Sequence, residues 1–151
     1  MKLKIKGKEY GMHFGIGATE IAAGVFEKDE DEIFFNSVLI NMETKEQLGV
    51  SRELVFGAVV NWCEENDEEV GFSYRNFLNA FNELSPELHK KILSVYKKAY
   101  HNGRVVEEIF AELLAAFEKD GSEDEKPKKK PARSRKSSKT ASDGGELTIV
   151  K

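Results

Sequence analysis

Apolar residues change their period once along this chain, and the change falls near residue 14. Leu3 and Ile5 alternate with Lys2, Lys4 and Lys6, and Tyr10, Met12 and Phe14 alternate with Gly11 and His13. A period of two gives a strand one apolar and one polar face. Gly7-Lys8 between the two stretches supplies a turn, since glycine reaches positive φ without a steric cost. The pattern predicts a β-hairpin with strands at 2–6 and 9–14. A two-stranded hairpin is marginal alone, so its Leu3, Ile5, Tyr10, Met12 and Phe14 side is expected to pack on helices.

After Gly15–Gly17 the apolar positions recur at helical spacing. A short helix is predicted over 18–27, helped to start by Thr19, with Ile21, Ala22, Val25 and Phe26 on one side. Acidic residues 29–32 open a second helix, where they suit the positive end of the helix dipole. Its apolar set is Ile33, Phe34, Val38, Leu39 and Met42. Ser51 reads as the N-cap of a helix over 52–66, with Leu54, Val55, Ala58, Val59 and Trp62 inward. Ser73 caps a fourth, 74–84, carrying Phe77, Leu78, Phe81 and Leu84. Ser85-Pro86-Glu87 restarts the chain as a fifth helix to about Tyr100, with Leu88, Ile92, Val95, Tyr96 and Ala99 inward. His101-Asn102-Gly103 is a helix stop and turn. A sixth helix, 104–119, places Val105, Val106, Ile109, Phe110, Leu113, Leu114 and Phe117 on a wide apolar face. The fold class is therefore mainly α: a bundle of five or six helices with a small N-terminal hairpin.

Charge divides the same chain differently. Residues 1–125 carry 14 Lys+Arg against 25 Asp+Glu, a net of −11, whereas residues 126–151 carry 9 against 2, a net of +7. The basic stretch has no aromatic residue and is rich in Ser, Lys and Pro. Such a composition cannot bury enough apolar surface to offset the entropy of ordering. The expected organisation is a helical domain at 1–120 and a disordered basic tail at 121–151, ending in the apolar Leu147–Val150. A single cysteine, Cys63, excludes an internal disulfide and points to a reducing compartment. In its apolar helical run it is expected to be a small buried hydrophobe. With no secretory signal and no apolar run near the ~20 residues a membrane helix needs, the expected location is the cytoplasm.

Chemical motifs are sparse. His13, His89 and His101 are scattered, with no zinc spacing. No nucleophile elbow or Walker A loop is present, and Gly15 and Gly17 are not followed by the third glycine of a dinucleotide fingerprint. The clusters Glu64, Glu65, Asp67, Glu68, Glu69 and 29–32 read as solvated helix ends. The expectation is a non-enzymatic protein without cofactor or metal. The tail has eight Lys or Arg among its fourteen residues 126–139. Lys128, Lys129, Lys130, Arg133, Arg135 and Lys136 are candidate contacts to a polyanion or to an acidic protein surface.

The segment LKIKGKEYGMHFGIGATEIAAGVF resembles the opening of tail assembly chaperones of long-tailed bacteriophages and prophages, in which a short lysine-rich hairpin leads through a Phe-Gly step into helices. The resemblance implies a helper in the bacterial host cytoplasm that coats the aggregation-prone tape measure protein before the tail tube forms. In many such phages a frameshift near the end of the gene yields a longer product, and Lys128–Lys130 would be encoded by an A-rich run. A client-coating role calls for uncovered apolar residues. Phe72, Tyr74, Phe77 and Phe81 crowd one short stretch, and adjacent Phe34 and Phe35 cannot share one narrow helical stripe. These six are the candidate contact residues, with filling of a wide core face as the alternative. Self-association through the same patch is expected when no client is bound. The competing readings are a nucleic-acid accessory protein using the basic arm and another structural phage or bacterial interaction module.

Overall fold

The structure is a computed structural model that describes residues 1–43 and 49–123, with side chains for 1–37 and 49–120. One compact unit spans Met1–Glu118. Residues 121–123, predicted to begin the tail, instead continue a helix, whereas the rest of the predicted tail and its candidate contacts, Lys128 to Lys136, lie outside the described residues, as do the side chains of Val38, Leu39 and Met42.

The hairpin consists of β1 (Lys2–Ile5) and β2 (Lys8–Gly11), antiparallel, with Leu3 opposite Tyr10 and Ile5 opposite Lys8. Leu3, Ile5 and Tyr10 are buried while Lys2, Lys4 and Lys6 face water, as the alternation requires. The turn is Lys6-Gly7 rather than Gly7-Lys8. Both residues have positive φ, 50° and 82°, which matches the twist of a two-residue hairpin. The second strand stops three residues earlier than predicted. Among the described residues no third strand pairs with this sheet. The His13 N–H instead donates to the Ala58 carbonyl at 3.0 Å, which carries Phe14 into the core.

The helices are α1 (Ile16–Phe26), α2 (Glu30–Glu43), α3 (Arg52–Glu65), α4 (Tyr74–Asn82), α5 (Pro86–Lys97) and α6 (Val106–Glu123). Three predicted caps are in place. Leu54, Asn76 and Leu88 donate their backbone N–H groups to the side chains of Ser51, Ser73 and Ser85, and Asn76 closes a reciprocal capping box on Ser73. The start of α1 differs. Gly15 is its N-cap, and Thr19 lies inside the helix with its hydroxyl donating to the Gly15 carbonyl.

Helix α3 is the centre of the unit, with Leu54 through Val59 and Cys63 buried. Its Gly57 lets α1 approach so closely that a Cβ there would stand 2.2 Å from the Ala18 carbonyl oxygen. Cys63 is free and buried, and burial raises its thiol pKa, aided by Glu68 and Glu64 against Lys8. Between α5 and α6 the predicted turn is a second small hairpin, β3 (Tyr100–His101) and β4 (Arg104–Val105), closed by Asn102 and Gly103 at positive φ. Two-residue strands are too short to show a period, so only their turn was legible.

Several apolar positions placed inward by periodicity are exposed: Val25 on α1, Val95 on α5, Leu114 and Phe117 on α6. On α6 only the first turns are covered. Val106 and Phe110 reach the core, and Phe110 meets Phe34 and Tyr96.

Candidate functional site

The six candidate aromatics fall into two kinds. Phe34, Phe72 and Phe77 are buried. Phe56 lies at the hub of an aromatic array, with Phe26, Phe72, Tyr74 and Phe77 at centroid distances of 5.1–6.2 Å. The array runs outward through Phe81, stacked 5.6 Å from Phe77, to His89 at 5.0 Å. Phe72 also meets Tyr10 edge-on, which ties the hairpin to it. Phe77 has no exposed area, and Phe34 and Phe72 keep only 5% and 9%, so in the folded domain these three fill the core face, the alternative reading, and offer a client little surface. Tyr74 and Phe81 are half-buried, and Phe35 is exposed at 48%. Phe35 follows Phe34 by one position, and with Phe34 turned into the core a helix must send its neighbour outward.

Exposed apolar side chains converge elsewhere. A cleft of about 700 Å³ opens where the β2–α1 junction faces the end of α5 and the β3–β4 hairpin. Ile16, Val95 and Tyr100 line it and are 52%, 36% and 63% exposed, with Met12 and Ala99 behind them. Three local features build it. The Gly15 φ of 151° lets the chain turn from the hairpin into α1, leaving Ile16 on the rim. Asn61 of α3, nearly buried, donates its amide to the His13 carbonyl at 3.1 Å and so fixes the junction. Gly17 packs against Asn61, where a Cβ would lie 2.6 Å from Oδ1.

The polar part of the lining is short. The Glu65 carboxylate accepts from His13 Nδ1, and Lys98 stands on the opposite side. No serine, threonine or cysteine lines the cleft. What the arrangement can do is remove apolar side chains of another molecule from water, with charges at the rim to orient them. Among the described residues no group of three or more His, Cys, Asp and Glu is placed to hold a metal ion, and no helix is long and apolar enough to cross a membrane.

Sequence reasoning missed this cleft. Ile16 sits between two glycines, outside any periodic stretch. Tyr100 follows the last turn of α5, where a helical face no longer predicts direction. The one signal was their size and apolarity next to turn residues.

No protein-family model, curated protein or solved structure matches this chain.

Proposed function

We propose that this protein is a non-enzymatic chaperone of phage tail assembly, which binds the tape measure protein and keeps it soluble until the tail tube polymerises. The observation that carries the reading is the cleft: Ile16, Val95 and Tyr100, three of the nine exposed large apolar side chains among the described residues, stand together at its lining. The N-terminal hairpin leading into helices agrees with the resemblance of residues 3–26. The surrounding surface supports the role as well, since residues 1–125 have a net charge of −11. Like-charge repulsion between loaded complexes limits their aggregation.

The energetics suit reversible holding. One aromatic or large aliphatic side chain taken from water contributes on the order of 2 kcal/mol. Engagement of Ile16, Val95 and Tyr100 together, after association costs, gives a weak and renewable grip rather than a permanent one.

The test is co-expression with a long, helical tape-measure-type protein encoded beside this gene. Wild type is expected to raise the soluble fraction of that client and to co-purify with it. A client equally insoluble with and without the protein would refute the reading. Retention of the protein on single-stranded DNA with no effect on the client would favour a nucleic-acid role instead.

A further inference from the structure

The cleft continues along α5. A second depression of about 290 Å³ is lined by Lys90, Leu93, Ser94, Lys97, Lys98 and Glu107, and Lys98 belongs to both. The two depressions adjoin at Lys98, so the surface track from Tyr100 to Lys90 is apolar at one end and carries Lys90, Lys97 and Lys98 toward the other. Its lysines belong to the cations of the unit that lack an ion pair among the described residues, as Lys4, Lys6, Arg52 and Arg75 also do. Lys2, Lys8, Lys28 and Arg104 each have a carboxylate within ion-pair distance. Lys90, Lys91, Lys97 and Lys98 have none among the described residues. Four unmatched positive charges in one short helix and the residue after it are unusual on a surface this acidic.

We infer that this track binds a protein segment of defined chemistry: an amphipathic helix whose apolar stripe enters the cleft between Ile16, Val95 and Tyr100 and whose acidic flank lies along Lys90, Lys97 and Lys98. The inference rests on the client-binding reading and names the kind of client segment. Lys90 and Lys97 are two helical turns apart, roughly 11 Å along the axis. Carboxylates two turns apart on a facing helix meet both. Charge complementarity of this kind sets orientation and speeds encounter more than it adds affinity, while the apolar end supplies the grip. A nucleic acid fits less well. Glu65 and Glu107 line the same track and would repel phosphates, as would the net negative unit around it.

The experiment uses the full chain and three labelled probes followed by fluorescence anisotropy: an 18-residue helical peptide with a Leu/Phe stripe flanked by Glu, the same stripe flanked by Lys, and a single-stranded DNA oligonucleotide. Wild type is expected to prefer the Glu-flanked peptide. Lys97→Glu with Lys98→Glu is expected to weaken that complex about tenfold or more and to strengthen binding of the Lys-flanked peptide. Tyr100→Ser is expected to weaken both peptides. Lys97→Gln with Lys98→Gln, which keeps side-chain bulk, checks direction with a smaller loss, and circular dichroism confirms that each variant is folded. Unchanged affinity for the Glu-flanked peptide in the charge-reversed protein would overturn the inference, because the basic residues 126–139 would then be its receptor. So would a wild-type preference for the Lys-flanked peptide, or binding of the oligonucleotide alone. The outcomes separate from co-expression. A client kept soluble with no response to Lys97 and Lys98 reversal removes the acidic flank and leaves the chaperone reading. Peptide selectivity without an effect on the client does the reverse.

Discussion

His101 lies face to face with Phe34, their ring centroids 4.0 Å apart and their planes 10° from parallel. The stack fastens the β3–β4 hairpin to α2 and closes the core beside Phe110. It also buries an imidazole. Burial holds the His101 pKa below its ordinary value of 6.5, with Asp31 and Glu30 pulling weakly the other way.

A pH dependence follows. The folded state prefers neutral His101, so on acidification the unfolded chain takes up this proton first and stability rises with pH across that range. The contribution is full above about pH 6.5 and is lost as pH falls from there through the lower, folded value. Urea unfolding midpoints at pH 7.5 and pH 5.5 check it. His101→Phe keeps a planar partner for Phe34 and is expected to show a smaller drop between the two. Equal drops in wild type and variant would contradict the assignment.

Tyr96→Phe is expected to leave the protein equally stable or more stable by up to about 1 kcal/mol. The Tyr96 hydroxyl is buried without a hydrogen-bond partner among the described residues, and its pKa is raised well above the usual phenol range by burial alone. A buried unmatched polar group costs free energy that the phenylalanine does not carry. The ring contacts to Phe14 and Phe110 remain. A loss of more than about 1 kcal/mol on denaturant unfolding would show that the hydroxyl has a partner after all.

Gly57→Ala is expected to destabilise by about 1–3 kcal/mol or more, because the new methyl collides with the Ala18 backbone and the Ala22 side chain where α1 crosses α3. Gly24→Ala, where nothing lies within 4 Å of the added carbon, is the control and should be neutral or mildly stabilising. Thermal melts of the two variants distinguish a packing constraint from a general intolerance of change at glycine.

Phe77→Ala and Phe35→Ser separate core from surface among the candidate aromatics. Phe77 is fully buried, and its truncation is expected to cost about 3–5 kcal/mol. Phe35, half-exposed at the edge of Phe34, is expected to change stability by less than about 1 kcal/mol. Similar losses for both would mean that Phe35 is covered in solution.

These contrasts show what the sequence could and could not reveal. The hairpin, the three serine caps and the order of helices were legible, because alternation, Ser-Pro-Glu and Asn-Gly are local signals with local causes. Cys63 was legible for the same reason. The direction of the aromatics was not. Phe72 and Phe77 look like a sticky patch in one dimension, and only the array around Phe56 shows that they are already satisfied. Ile16 and Tyr100 escaped notice because each stands at an element boundary, where neither period applies. Their juxtaposition comes from the β2–α1 junction and the end of α5, which are distant in the chain.

The most direct test of the central claim is light scattering from a tape-measure-type client diluted from denaturant in the presence of this protein or of its Ile16→Ser, Tyr100→Ser double variant. Both residues are largely exposed, so the variant is expected to melt within a few degrees of wild type. Wild type is expected to suppress client aggregation in proportion to its concentration, and the folded double variant to lose most of that effect. Equal suppression by the two proteins would show that the cleft is not where a client is held.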